Sequence, residues 1–227
     1  MKYKNIEIKW LGHSGFLIQN GKTIYIDPFR ISEDLPAADI IFITHSHYDH
    51  CSIEDIRHLT KNGTRIISTP DCQSKFKHIS ENIQINVAEA DSKSVFENEK
   101  IKYWCVRAYN VDKKYHPREE DWVGYLIQIG DEENLDENVL IYHAGDTDFI
   151  PEMKNIENID IAFLPIGGAY TMNAGEAAKA ASIIKPKLAI PMHFGKLEGV
   201  GSREDAEIFV RLCSGSDVDA RILTLGS

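Results

Sequence analysis

Three histidines and one aspartate lie within six consecutive residues of this 227-residue chain. The segment reads His45-Ser46-His47-Tyr48-Asp49-His50. Imidazole nitrogens and carboxylate oxygens are the ligands that zinc and other borderline divalent metals bind in proteins. Packing alone gives no reason to place four such side chains so close together. The spacing therefore predicts a metal site.

Residues two apart on extended backbone share a face, so His45 and His47 can bind one ion. Asp49 and His50 are adjacent, so the backbone must turn, and we expect them to bind a second ion. Further ligands must come from elsewhere, and later loops offer Asp146 in AGDT and His193 in PMHFG. A carboxylate has two acceptor oxygens and can bridge two cations, which is the role that we predict for Asp146.

Apolar runs with β-strand character precede each of these clusters. They are DIIFIT before His45, NVLIYH before AGDT, IDIAFLP before a Gly-Gly pair, and KLAIP before PMHFG. The carboxyl ends of rigid strands present loop residues to a shared cleft. Strands and helices alternate without a linker or repeat, so residues 1–227 are predicted to form a single domain. The pattern favours a layered sandwich with helices outside and sheets within.

Local signals add detail to this pattern. Asn-Gly at 20–21 predicts a hairpin within residues 6–27. Capping residues predict helices that start at Ser52, at Asn173 and near Ser202. The acidic segment 131–137 is predicted to be a solvated turn, and residues 221–225 a closing strand.

The composition excludes several classes of protein. There are 35 acidic against 25 basic residues and the net charge is -10, so nucleic acid is not an expected partner. The amino terminus has no continuous apolar run, which predicts neither a signal peptide nor a membrane span. The four cysteines form no C-x-x-C pair, so a thiolate zinc cluster is not expected and a reducing compartment, the cytoplasm, is predicted.

The order H-x-H-x-D-H, then AGDT, then PMH resembles the metallo-β-lactamase-fold hydrolase superfamily. WLGHSGFLI and IYIDP are similar to its branch with ascorbate-phosphate lactonase and N-acyl phosphatidylethanolamine phospholipase D. The likeness extends from Trp10 to His193. It implies an α+β fold, a four-layer αβ/βα sandwich of two mixed β-sheets flanked by helices. It also implies the metal ligands His45, His47, Asp49, His50, Asp146 and His193.

One position departs from that superfamily's pattern. A further histidine usually comes from a strand-end loop between the first motif and the aspartate, but Asn110 stands at this strand end. His116, six residues later, is the best replacement as a metal ligand or a direct substrate contact. The alternative is a surface histidine, and a single-metal enzyme would then follow.

The remaining histidines have supporting or surface roles. His143 is predicted to support the site without binding the metal. His13 and Asp27 either organise the site loops or cap turns. His58 and His78 fall on predicted helices and are expected at the surface.

Two divalent ions about 3.5–4 Å apart can lower the pKa of a water molecule between them and supply hydroxide for hydrolysis. Asp49 is the candidate general base, because it can orient this water and accept its proton. His116 is the second candidate catalytic residue, and with Asn110 and Tyr170 it could stabilise the oxyanion. Cys51 has no base partner and is expected to be inert.

Basic residues concentrate after the strand that ends near Arg107. A phosphate or carboxylate could bind to them, although Glu119, Glu120 and Asp121 offset this charge, and a solvated loop is the alternative. Backbone amides at Gly167-Gly168 could approach an anion, or the pair is a simple turn. The basic residues are Arg107, Lys113, Lys114, Arg118 and, beyond His193, Lys196.

We therefore predict a hydrolase that uses a metal-activated hydroxide to cleave a small anionic ester, phosphodiester or lactone. Its cofactor would be one or two zinc ions, with manganese or iron as alternatives. A non-haem iron oxidoreductase or dioxygenase, and a non-catalytic metal-stabilised binding module, are the alternative functions. The expected partner is the small anionic substrate, with no membrane span and the oligomeric state left open.

Overall fold

The computed structural model describes residues 1–96, 100–130 and 137–226, and its strands form two mixed β-sheets. The chain divides into two compact units, residues 1–89 with 224–227 and residues 90–223. Each unit contains one sheet. Most of the predicted acidic turn at 131–137 lies outside the described residues. The single domain over residues 1–227 stays a prediction.

The first unit contains a seven-stranded sheet whose strands are in chain order. The first four strands pair antiparallel, and the last four pair parallel. Strands two, four and five therefore run in the same direction and end at the same edge of the sheet. The strands are β1 (Lys2–Tyr3), β2 (Ile6–Gly12), β3 (Gly15–Gln19), β4 (Thr23–Ile26), β5 (Ile40–Ile43), β6 (Arg65–Ser68) and β7 (Gln84–Val87).

Helix α1 (Ile53–Leu59) begins as its sequence predicts, because the Ser52 side chain accepts a hydrogen bond from the Asp55 backbone amide. Ile56 and Leu59 face a buried apolar cluster that also contains β5 residues. A 3-10 helix (Pro70–His78) adds Cys72 and Phe76 to the same cluster. Burial of these side chains holds α1 beside the carboxyl end of β5.

The second unit contains a six-stranded sheet, again with strands neighbouring in chain order. Its first four strands pair antiparallel and its last three pair parallel. The second, fourth, fifth and sixth of them therefore end at one edge. The strands are β8 (Lys93–Phe96), β9 (Ile101–Arg107), β10 (Val123–Ile129), β11 (Val139–His143), β12 (Ile161–Pro165) and β13 (Leu188–Met192).

Two helices complete this unit, α2 (Ala174–Ile184) and α3 (Arg203–Ser214). Both begin with a capping box, from Asn173 and Ser202 respectively. Short 3-10 helices cover Arg118–Glu120 and Pro151–Asn155.

The prediction of two mixed β-sheets with helices is confirmed. The strand predicted at 221–225 is wrong, since only Leu225 makes an isolated bridge, to Trp10. Backbone hydrogen bonds lead to Ala189 from Arg221 and to Trp10 from Gly226, so no continuous ladder forms with either neighbour. Among the described residues, no helix combines the length and the apolar character needed to cross a bilayer.

Candidate metal centre

The predicted metal ligands of the first unit follow directly from β5. We call His45, His47, Asp49 and His50 the first ligand group. Strand direction explains its surroundings: Asp27 follows β4 and His13 follows β2, and these strands end at the same edge as β5. The fold thus brings three separate segments of this unit to one place.

Within the first ligand group, the imidazole rings lie close together. Nε2 of His45 lies 3.1 Å from Nδ1 of His47. The ring centroids of His45 and His50 are 4.1 Å apart, and both side chains are buried. The Asp49 carboxylate lies 3.8 Å from Nε2 of His50. All four predicted ligands of this segment are therefore neighbours.

Asp27 orients two of these histidines. Its carboxylate accepts hydrogen bonds from the Thr44 amide (2.8 Å) and the Thr44 hydroxyl (2.6 Å), and it lies 2.8 Å from Nδ1 of His50. Nδ1 of His50 must therefore carry the proton. The Thr44 hydroxyl has used its hydrogen, so it accepts one from Nδ1 of His45 at 2.9 Å. In both histidines Nε2 is left as the nitrogen with a lone pair, the form that binds metal.

His13 holds the carboxylate of Asp49, with Nε2 3.0 Å from Oδ2. His13 and Asp27 both have left-handed backbone, with φ of 54° and 42°. This conformation costs a non-glycine residue roughly 1–2 kcal/mol and is frequent at functional sites. The predicted loop-organising role of both residues agrees with these contacts.

Three buried residues of the second unit form the second ligand group: His116, Asp146 and His193. They follow β9, β11 and β13, which run in the same direction. Oδ2 of Asp146 lies 2.9 Å from Nε2 of His193 and 3.3 Å from Nε2 of His116. The alternative of a surface histidine at 116 is excluded, because His116 is 1% exposed.

The orientation of His116 follows from its other ring nitrogen. Nδ1 lies 3.0 Å from Oδ1 of Asn110 and 3.1 Å from the Tyr170 carbonyl. The Asn110 amide nitrogen donates to that same carbonyl, so Oδ1 is an acceptor and Nδ1 of His116 carries a proton. Nε2 then faces the Asp146 carboxylate, and this contact is favourable only with a cation or a second ring proton between them.

His193 also has left-handed backbone, with φ of 61°. A Cβ atom at Gly167 would lie 2.5 Å from Nδ1 of His193, so only glycine leaves room for this ring. The sequence predicts an anion contact or a simple turn at Gly167, and this packing role against His193 was not predicted. His143 accepts a hydrogen bond from the Gly145 amide at Nδ1, which supports the loop that carries Asp146.

The predicted basic cluster is extensively ion-paired. Arg107 pairs with Asp91 and Asp121. Lys113 pairs with Asp148 at 2.5 Å and donates to the Thr171 carbonyl. Arg118 pairs with Glu152. These three charges are therefore engaged in contacts within the protein, whereas Lys114 of the same set is exposed.

The other predictions near the site have mixed outcomes. His58 and His78 are exposed, as expected. Cys51 is buried, and a hydrogen bond with the Cys72 side chain lowers the pKa of its thiol. Lys75 was not predicted near the site, but its ammonium donates to the Ser46 carbonyl between two predicted ligands. Nothing local to Lys75 in the sequence signals this contact.

Each ligand group fits a divalent metal by its chemistry. Imidazole nitrogen and carboxylate oxygen suit zinc, manganese and iron. Two imidazole nitrogens on one tetrahedral zinc lie about 3.3 Å apart, and the His45 and His47 nitrogens are 3.1 Å apart. The buried ring nitrogen of His116 facing a carboxylate is a second feature that a cation would satisfy.

Comparison with known proteins gives the family. A family model described as a Beta-lactamase superfamily domain matches residues 7–193. A UPF0173 metal-dependent hydrolase of Pyrococcus horikoshii is 32% identical over 238 residues, which covers 97% of each chain. A UPF0173 metal-dependent hydrolase of Lysinibacillus sphaericus is 33% identical and covers 94% of this chain and 95% of its own.

A solved structure agrees with these sequence relatives. A Parabacteroides distasonis protein assigned as a metal-dependent hydrolase has a TM-score of 0.81 and 31% identity, with 96% of this chain and 94% of that chain covered. The predicted fold class is thereby confirmed, while the narrower branch stays a prediction. The chain belongs to the β-lactamase superfamily, and within it to the UPF0173 metal-dependent hydrolases.

Proposed function

We propose that this metal-dependent hydrolase cleaves a small anionic ester, phosphodiester or lactone. Its metal would be one or two zinc ions, with manganese or iron as alternatives. The proposed ligands come from both groups: His45, His47, Asp49 and His50 from the first, and His116, Asp146 and His193 from the second.

One observation carries the ligand assignment. Asp27 and Thr44 fix the ring protons of His50 and His45 on Nδ1, which leaves both Nε2 atoms ready to bind a cation. A buried cluster of neutral imidazoles without such a purpose would cost free energy, because each ring needs hydrogen-bond partners away from water. The orientation therefore supports a metal-binding role.

A bound divalent ion would lower the pKa of water and so supply hydroxide near neutral pH. Asp49 would accept the proton of the attacking water, and His13 holds the Asp49 carboxylate in place at 3.0 Å. His116 is the second proposed catalytic residue. Its ring orientation, fixed by Asn110 and Tyr170, directs Nε2 away from these acceptors.

The charge of the protein bears on the substrate. The net charge of -10 opposes long-range attraction of anions, and three of the predicted basic residues, Arg107, Lys113 and Arg118, are ion-paired. An anionic substrate would therefore depend on the metal charge at the site. We also propose that residues 1–227 act as one domain in the cytoplasm and that nucleic acid is not a substrate.

Metal analysis of the purified protein and a hydrolysis screen test the proposal together. Bis(p-nitrophenyl) phosphate and simple lactones are suitable substrates. We expect one or two equivalents of metal and hydrolysis that stops after chelation. The His47→Ala and His116→Ala variants should each lose bound metal, whereas His78→Ala, at an exposed histidine, should keep the metal and the activity.

Retained metal without hydrolysis of any ester, phosphodiester or lactone would contradict the proposed substrate class. Unchanged metal content in His116→Ala would remove this residue from the ligand set.

A further inference from the structure

A cavity of about 730 Å³ lies within the first unit, next to the first ligand group. Tyr48 and Cys51 line it, and both belong to or directly follow that segment. Phe29, Ile31 and Ile53 supply apolar surface. Cavities of this size accommodate small molecules.

The aromatic wall of the cavity continues to a proposed ligand. The rings of Phe29 and Tyr48 meet edge to face, with centroids 5.8 Å apart and an interplanar angle of 77°. The Phe29 ring also lies 5.8 Å from the ring of His13. His13 in turn contacts Asp49. Phe29 and His13 therefore connect the cavity with the proposed general base.

Several polar groups of the lining already have partners within the protein. Asp55 accepts hydrogen bonds from the backbone amides of Arg30 and Ile31 and from the Ser52 hydroxyl. The Arg30 guanidinium lies 5.0 Å from the centroid of the Phe29 ring. The ammonium of Lys75 donates to a backbone carbonyl.

The charges of the lining nearly cancel. Two cations, Arg30 and Lys75, accompany three carboxylates, Glu33, Glu54 and Asp55. Such a lining does not favour a charged ligand. Its aromatic rings and isoleucines favour a ligand with an apolar group that they can bury.

We infer that this cavity binds an uncharged aryl or alkyl group of the substrate. The inference rests on the proposed function: the reacting ester, phosphodiester or lactone would lie at the first ligand group and its apolar substituent in the cavity. Tyr48 lies between the proposed ligands His47 and Asp49, and its ring would contact the apolar substituent in the cavity. The preferred substrates would then carry a hydrophobic substituent.

A binding comparison tests this inference without hydrolysis. Phenylphosphonate and methylphosphonate have the same acid group and differ in the apolar substituent, and calorimetry with the metal-loaded full-length protein gives their Kd values. We expect phenylphosphonate to bind about tenfold more tightly, which is the order expected when part of a ring is buried. The preference should fall to about twofold in Tyr48→Ala and stay in Tyr48→Phe.

Two further variants complete the design. Ile53→Ala should also reduce the preference, because it removes apolar surface from the cavity. Leu212→Ala removes an exposed apolar side chain of α3, outside the cavity lining, and should keep the preference. Tyr48 is 64% exposed, so its substitution leaves the apolar core intact. Equal affinities in the wild type, or a preference that survives both Tyr48→Ala and Ile53→Ala, would overturn the inference.

Hydrolysis separates this inference from the proposed function. Bis(p-nitrophenyl) phosphate and methyl p-nitrophenyl phosphate share a leaving group and differ in the second substituent. We expect a KM about tenfold lower for the aryl compound. No hydrolysis of either compound, with the phenyl preference in binding retained, would refute phosphodiester cleavage and support the cavity assignment. Hydrolysis with equal KM values would overturn the assignment.

Discussion

The two ligand groups differ in how the chain assembles them. The first lies in a single segment after β5, whereas the second combines residues 116, 146 and 193 from three loops. In both units the residues follow strands that end at one edge of a mixed sheet. Strands that end at one sheet edge therefore position both groups. The first group is local in sequence, whereas the second depends entirely on tertiary structure.

The two groups also differ in what orients their histidines. Asp27, a buried carboxylate, accepts from His50 directly and reaches His45 through Thr44. Neutral acceptors, Asn110 and the Tyr170 carbonyl, orient His116. A carboxylate partner increases the basicity of a ligating imidazole more than a neutral oxygen does. The first group should therefore depend on one buried charge, whereas His116 in the second group is held by neutral partners.

Asp146→Asn should have the largest effect, because both histidines of the second group contact this one carboxylate. Loss of its charge should remove bound metal and lower kcat/KM by on the order of 10³-fold. Metal analysis and steady-state kinetics check the result.

Asp160→Asn is the matched control for Asp146→Asn. Asp160 is also buried in the second unit, but it accepts from the Leu140 amide and pairs with Lys187. Its variant should unfold at lower temperature while keeping its metal. Equal metal loss in the two variants would mean that the Asp146 effect is only structural.

The sequence predicts these two groups unequally, for physical reasons. Side chains two apart on extended backbone must be neighbours, so His45 and His47 were predictable from spacing alone. The burial of His116 depends on Asn110, Tyr170 and the Lys113–Asp148 ion pair, which only folding brings together. Gly167 illustrates the same limit. Only glycine fits there because a Cβ atom would collide with His193, which is 26 residues later in the sequence.

Strands were predicted well where apolar periodicity and a turn signal agree, as around the Asn-Gly hairpin at 20–21. The last segment failed because RILTL has strand composition but its backbone hydrogen bonds lead to two different strands. Residue composition indicates whether a segment can form a β-strand. Whether it does so depends on neighbouring strands that are distant in the sequence.

Asp27→Asn tests whether the first ligand group depends on this buried carboxylate. It should weaken metal binding by about 10–100-fold, as expected when a carboxylate partner of a ligating histidine is removed. It should also lower the free energy of unfolding by roughly 1–3 kcal/mol, because Asp27 accepts hydrogen bonds from Thr44 and His50. Metal titration and chemical denaturation measure the two effects.

Asp39→Asn serves as the control, since Asp39 accepts from the Thr23 amide and pairs with Lys61 in the same unit. It should change stability without changing metal affinity. If Asp27→Asn behaves in the same way, Asp27 only caps a turn and does not act through His50.

Lys113→Met should have the smallest effect and tests the second group through its supporting loop. Lys113 pairs with Asp148, which also accepts from the Val111 amide, so the substitution should loosen the loop that carries His116. We expect a loss of about three- to tenfold in kcat/KM, since small displacements of a site residue are costly. Lys114→Met, at the exposed neighbouring lysine, should leave KM for an anionic substrate unchanged. A higher KM in Lys114→Met with normal Lys113→Met kinetics would show that this loop binds the anion directly and that its ion pairs are dispensable.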